Sequence, residues 1–156
     1  MLSTMKGAYV LIIRIEKDVN VQIKSLGRVT FQAGTWVYVG SAMGDGSTSL
    51  ENRIKRHFSS DKTIYWHIDY LLDKEVKLQK VFWAQSSTHS ECDIAQQIQS
   101  RTEFQEGPRH FGSSDCQKEC AAHLFGFNDV DSVEDVIEDV FKQVSLHPSI
   151  STDGQI

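Results

Sequence analysis

Two stretches form the centre of the fold: Gly7-Ala8-Tyr9-Val10-Leu11-Ile12-Ile13-Arg14-Ile15 and Thr35-Trp36-Val37-Tyr38-Val39-Gly40. Both are rich in β-branched and aromatic residues, which predicts central strands. The first run is far too short to span a bilayer. Between them, Val19 to Ile23 alternates apolar and polar residues, and a turn at 26–28 leads to a short return strand over 29–31. The whole stretch 7–40 is interpreted as an antiparallel meander.

Helical and extended patterns alternate through the rest of the chain. Ser49 is a predicted cap of a helix from Leu50 to about Phe58. Further predictions are a short helix in 64–73, a strand over 76–83, a helix from 90 to about 99, an edge strand in 121–127, and a helix after Ser132 with a frayed tail beyond Pro148. This order predicts a small α+β domain, with a central antiparallel sheet flanked by helices, an added hairpin and a C-terminal acidic helix. We divide it into residues 1–127 and an amphipathic segment 128–156 packed on the same domain.

Charge is distributed unevenly along the 156 residues, whose net charge is −5. Residues 1–127 carry 15 Lys and Arg against 14 Asp and Glu, whereas residues 128–156 carry one Lys against seven acidic residues. The overall acidity argues weakly against a nucleic-acid partner, but it belongs to the C-terminal segment. Three cysteines are too few for a disulfide scaffold, and we expect no secretory signal. We therefore expect a cytoplasmic protein with no membrane partner, and the oligomeric state stays open.

Four features carry possible chemistry. Gly7-Ala8-Tyr9 begins the first strand, and Tyr38-Val39-Gly40 ends a later one. Arg53 and His57 are four residues apart, so they share a helix face. Glu91 begins the helix that follows the next strand. Each feature alone has an ordinary explanation in packing, in a solvated helix face or in the helix dipole, so only their order is informative.

That order resembles the GIY-YIG nuclease superfamily. The two strand motifs match at Gly7-Ala8-Tyr9 and Tyr38-Val39-Gly40, and the helix arginine and histidine match Arg53 and His57. The chain is most similar to a branch that carries Tyr-Val-Gly-Ser-Ala, Trp-His-Ile-Asp-Tyr-Leu and Gly-Ser-Ser-Asp-Cys signatures, found here within 36–42, 66–71 and 112–116. The resemblance covers about residues 7–127.

The resemblance implies an endonuclease that hydrolyses phosphodiesters with Mg²⁺ or Mn²⁺, of the kind used in DNA repair or processing. DNA, ahead of RNA, is the implied partner. Tyr9 is then the candidate general base, Tyr38 orients water or phosphate, Arg53 neutralises the phosphate and His57 relays a proton. Glu91 is the implied metal ligand. Because a free phenol has a pKa of about 10, the role of Tyr9 as a base requires nearby positive charge.

Other residues are expected to support this site. Gly40 is interpreted as giving substrate close access to the backbone. The remaining supporting candidates are Gly7, His67 and Asp69, and the candidates for tracking a phosphate backbone are Lys55, Arg56 and Lys62.

A cysteine cluster has plausible spacing for a structural Zn²⁺. Its candidate ligands are Cys92, Cys116, Cys120 and His123. The alternative is a set of reduced, partly buried cysteines.

Two other functions remain open at this point. The domain can be a nucleic-acid-binding module with weak or lost cleavage, which predicts salt-dependent binding without turnover. It can also be an interaction protein that acts through the C-terminal helix 131–144, although simple packing of that helix on its own core is the more economical interpretation.

Overall fold

The computed structural model describes residues 5–23, 27–44, 49–59, 67–72, 76–86, 90–107, 123–128 and 132–156. Its strands are β1 (Gly7–Ile15), β2 (Val19–Ile23), β3 (Gly27–Phe31), β4 (Gly34–Ala42), β5 (Lys77–Gln85), β6 (Phe104–Glu106), β7 (Leu124–Phe127) and β8 (Ser149–Ser151). Its helices are α1 (Leu50–Phe58), α2 (His67–Leu72), α3 (Glu91–Gln99) and α4 (Val133–Gln143). Six strands form one antiparallel sheet in the order β6-β7-β4-β1-β5-β8. The predicted α+β class, with an antiparallel sheet flanked by helices, is confirmed.

Strand β1 lies at the centre of the sheet and is buried on both faces. Its even-numbered side chains pack with α3 and α4, in a core that includes Ile94 and Phe141. Its odd-numbered side chains pack with α1 and α2, in a core that includes Ile54 and Ile68. Because side chains alternate along a strand, Tyr9 faces α1.

The predicted meander over residues 7–40 is wrong in its pairing. Strand β1 pairs directly with β4, and the hairpin β2–β3 forms a separate two-stranded sheet. The alternating pattern of this hairpin explains the difference, because it buries one face only, through Val21, Ile23 and Phe31. The hairpin therefore covers the α1–α2 side of the core without entering the main sheet.

Both edges of the main sheet also differ from expectation. Strand β7 pairs with β4 on one side and with the short strand β6 on the other, so it is not an edge strand. The segment after Pro148 is ordered, since β8 pairs with β5. The Ser151 hydroxyl accepts a hydrogen bond from the Gly154 amide at 3.0 Å and donates one to the Gln155 carbonyl at 3.0 Å. This turn places Gly154, with a φ of +85°, against the Phe58 ring at the end of α1.

Helix α4 is held on the domain by apolar burial and by ion pairs. Its buried residues are Val136, Ile137, Val140 and Phe141. The Glu134 carboxylate lies 2.9 Å from the Lys80 ammonium, and Asp139 pairs with Arg101. Acidic residues of α4 are thus used in docking the helix on the domain. Among the described residues, no helix is long and apolar enough to cross a membrane.

Candidate active site

The two tyrosines of the strand motifs and the histidine of α1 meet on one face of the sheet. Tyr9 lies opposite Gly40 in the β1–β4 ladder, and Leu11 lies opposite Tyr38, so both tyrosines face α1. The Tyr9 hydroxyl is 2.7 Å from His57 Nε2. The ring centroid of His57 is 5.3 Å from that of Tyr9 and 6.4 Å from that of Tyr38. All three side chains are buried, so a hydrogen-bonded tyrosine–histidine pair lies beside a second tyrosine.

Gly40 is required by the packing of Tyr9. A Cβ atom on Gly40 would lie 2.5 Å from the Tyr9 hydroxyl oxygen. The tip of the Tyr9 ring therefore occupies the space beside Gly40 that is predicted to admit substrate. Gly7 is likewise required by the sheet, because a Cβ there would collide with the Ala84 carbonyl of β5.

Arg53 is positioned one helical turn before His57. Its Nη1 donates a hydrogen bond to the Ser41 carbonyl oxygen at 2.6 Å, which ties the guanidinium to the end of β4. Its positive charge lowers the pKa values of both Tyr9 and Tyr38, although less than burial raises them. Arg53 therefore acts electrostatically on both phenols.

Glu91 also acts on both tyrosines. Its negative charge raises the pKa values of Tyr9 and Tyr38, after the larger effect of burial, and Asp69 acts in the same direction. The Glu91 side chain is 26% exposed, at the first turn of α3. Charged side chains of α1 and α3 therefore act on the tyrosines of β1 and β4.

Burial decides the protonation of Tyr9. It raises the pKa of the phenol well above the usual value of 10, and the opposing effect of Arg53 is smaller. The positive charge that a phenolate base would require is present but insufficient. Tyr9 is consequently a neutral phenol. Its hydroxyl donates a hydrogen bond to His57 Nε2 when that nitrogen is unprotonated.

We expect Tyr9 and Tyr38 to resist ionisation in alkali, since burial raises the pKa of both. A group whose pKa is raised by folding stabilises the fold fully below its unfolded value of about 10, and this stability is lost as the pH rises through the folded value. Tyrosinate absorbance at 295 nm and circular dichroism, followed from pH 9 to 13, should show two of the four tyrosines ionising only as the chain unfolds. Ionisation of all four near pH 10 in a folded chain would contradict this.

Arg56 and Asp69 form an ion pair that joins α1 to α2. Arg56 Nη1 and Nη2 each donate to one carboxylate oxygen of Asp69, at 2.9 Å in both cases. The Asp69 side chain is fully buried and that of Arg56 is 25% exposed. Of the predicted phosphate contacts, Arg56 thus contacts Asp69, whereas Lys55 is exposed.

Four other predicted residues have limited or no description. His67 begins α2, but its side chain is not described. Lys62, Cys116 and Cys120 lie outside the described residues.

His123 lies between Glu91 and Cys92. Its Nδ1 is 3.7 Å from Glu91 Oε2, and its Nε2 is 4.0 Å from Cys92 Sγ. Cys92 is disulfide-bonded, a state in which its sulfur is not the thiolate that zinc requires. Within the described ranges, no group of three or more His, Cys, Asp or Glu side chains is arranged to hold a metal. The alternative of reduced cysteines is wrong for Cys92. The zinc site stays a prediction.

Sequence reasoning missed two contributions to this site. The Ser41 carbonyl that holds Arg53 is a backbone group, which no residue pattern reveals. His123 was assigned only to the possible zinc cluster, although its carbonyl accepts a hydrogen bond from the Val39 amide at 2.8 Å and so fixes it beside Tyr38. The Gly-Ser-Ala continuation of the strand motif is the one sequence signal that marks the Ser41 region.

The fold and the cluster define a small α+β domain with a buried tyrosine–histidine pair beside an arginine and a carboxylate. A family model described as Domain of unknown function DUF123 matches residues 8–146, so the chain belongs to this family. No curated protein and no solved structure matches the chain.

Proposed function

We propose that this chain is a GIY-YIG-type, metal-dependent endonuclease that acts on nucleic acid in the cytoplasm, with DNA as the first substrate to test and DNA repair or processing as its role. The observation that carries the proposal is the 2.7 Å contact between the Tyr9 hydroxyl and His57 Nε2. Arg53 and Glu91, both within electrostatic reach of Tyr9, support it. Together these groups can move a proton from water, neutralise a phosphate and bind a cation.

The proton path follows from the neutral state of Tyr9. A water oxygen attacks phosphorus and gives its proton to the Tyr9 oxygen, while Tyr9 passes its own proton to His57 Nε2. The bond from phosphorus to the leaving oxygen breaks, the leaving oxygen takes up a proton from solvent, and His57 releases its extra proton to solvent. The products are a phosphate monoester and a hydroxyl. This relay avoids a stable phenolate, which burial of Tyr9 disfavours.

Arg53 neutralises the negative charge of the phosphate in this mechanism. The guanidinium is permanently charged, and the Ser41 carbonyl fixes its position before substrate arrives. A pre-oriented cation stabilises the transition state without reorganisation during the reaction. Tyr38, on the same face and also neutral, orients the water or a phosphate oxygen by hydrogen bonding.

Glu91 would hold Mg²⁺ or Mn²⁺. The residues fit such an ion, because Mg²⁺ is commonly bound through one or two carboxylates plus water and substrate phosphate, and Glu91 offers one partly exposed carboxylate. When bound, the ion supplies Lewis-acid stabilisation of the phosphoryl oxygens.

Binding to nucleic acid is expected to be weak and sensitive to salt. In α1, Lys55 is the exposed basic residue, while Arg56 contacts Asp69. Few phosphate contacts give low affinity, and counterion release makes that affinity fall as salt rises. Binding assays are therefore best begun at low ionic strength.

The decisive experiment is a cleavage assay on single-stranded, duplex and branched DNA and on RNA, with Mg²⁺ or Mn²⁺. We expect cleavage that chelation abolishes, and that Arg53→Ala and Glu91→Ala each reduce by at least about 100-fold, as loss of one transition-state contact does. Glu138→Ala, on α4, is the control variant and should cleave like the wild type. Unchanged cleavage by Arg53→Ala or Glu91→Ala would refute the site, and salt-dependent binding without any turnover would favour the binding-module alternative.

The packing of α4 does not support the remaining alternative, an interaction protein that acts through this helix. The apolar residues of α4 are buried in the core that they share with α3 and β1. It therefore stays the weaker hypothesis.

A further inference from the structure

Glu91 must be held in one place if it is to serve as a metal ligand. It lies in the first turn of α3, where the cap residue Ser90 makes no side-chain capping hydrogen bond. Its side chain is 26% exposed and carries several rotatable bonds. Ordering such a side chain costs free energy, which a fixed neighbour reduces.

His123 is a fixed neighbour of this kind. Its side chain is 2% exposed, and its backbone carbonyl is hydrogen-bonded to the Val39 amide of β4 at 2.8 Å. The backbone of His123 is therefore anchored to the strand that carries Tyr38, and its ring is buried there. One ring nitrogen, Nδ1, faces Glu91 Oε2 at 3.7 Å, an ion-pair separation that leaves room to tighten when ligands bind.

We propose that His123 is the positioning residue of Glu91, directing its carboxylate toward the two tyrosines through Nδ1. The inference rests on the proposed nuclease function and deepens it. A partner of a metal-ligating side chain fixes its orientation, and loss of such a partner typically lowers metal affinity or activity about 10–100-fold. The opposite nitrogen, Nε2, lies 4.0 Å from Cys92 Sγ.

A matched pair of substitutions separates this role from simple packing. The amide nitrogen of His123→Asn falls near the position of Nδ1, whereas that of His123→Gln falls near Nε2. Both variants remove ring volume, so both lose stability. Only His123→Asn keeps a donor toward Glu91.

The test is Mn²⁺ affinity, measured by electron paramagnetic resonance of the free ion, for the full chain below the melting temperature of every variant. We expect His123→Gln to weaken Mn²⁺ binding by about 10–100-fold, and His123→Asn by much less. Equal affinity in both variants, or wild-type affinity in His123→Gln, would overturn the inference.

Two controls keep the result decisive. If Glu91→Gln binds Mn²⁺ as tightly as the wild type, the proposed metal site itself fails, whereas lost binding there with unaffected His123 variants removes only the positioning role. Where neither His123 variant folds, the imidazole ¹⁵N signals of the wild-type chain decide the matter. Mg²⁺ should shift the His123 Nδ1 signal in the wild type and not in Glu91→Gln, and no shift in either would refute the role.

Discussion

Replacing Tyr9 with phenylalanine is expected to lower the rate of nucleic-acid cleavage by about 10²–10⁴-fold, the usual contribution of a positioned acid–base group. Phenylalanine keeps the ring that packs on Gly40 and removes only the hydroxyl that contacts His57 Nε2. Loss of this buried hydrogen bond costs about 1–3 kcal/mol, which leaves the fold intact. Single-turnover cleavage at saturating Mn²⁺, with thermal melts of the same samples, measures both effects.

The control for this prediction is Tyr70→Phe, which removes a hydroxyl from α2 on the same side of the sheet. It should cleave like the wild type. Because Tyr9 and His57 act as one relay, Tyr9→Phe combined with His57→Gln should lose little more activity than either change alone. Cleavage at the wild-type rate by Tyr9→Phe would place the base elsewhere and refute the relay.

Local sequence signals identified the elements that carry this site. Helix α1 begins and ends where the pattern predicted, since Ser49 caps it by accepting a hydrogen bond from the Asn52 amide at 3.4 Å. Strand β1 was equally clear, because a strand buried on both faces is a continuous apolar run. The spacing of Arg53 and His57 then placed both on one side of α1, and the structure brings them to Tyr9.

What the sequence could not reveal depends on contacts between distant segments. Strands β6 and β8 are three residues long, too short for a recognisable pattern, and they exist because β7 and β5 offer edges to pair with. The protonation of Tyr9 depends on how completely the fold buries it, and burial outweighs the nearby arginine. Composition shows neither effect.

The Arg56–Asp69 pair is a further long-range contact, and it leads to a stability prediction. Arg56→Met should lower the free energy of unfolding by about 3 kcal/mol, because it leaves the fully buried Asp69 carboxylate without its cationic partner. Methionine preserves most of the apolar stem, so the loss reports charge and hydrogen bonds rather than volume. Urea unfolding followed by circular dichroism measures the difference.

Lys55→Met is the matched control, since Lys55 is the exposed neighbour of Arg56 on the same helix. A surface change of this kind should alter the free energy of unfolding by less than about 0.5 kcal/mol. If Lys55 contacts a phosphate, its loss should instead flatten the dependence of DNA affinity on salt by about one unit of log–log slope. The opposite pattern, with Arg56→Met fully stable and changed only in its salt dependence, would mean that Arg56 serves the substrate, as its position beside His57 had suggested. The two neighbours thus separate a cation that holds α2 to α1 from one that meets nucleic acid.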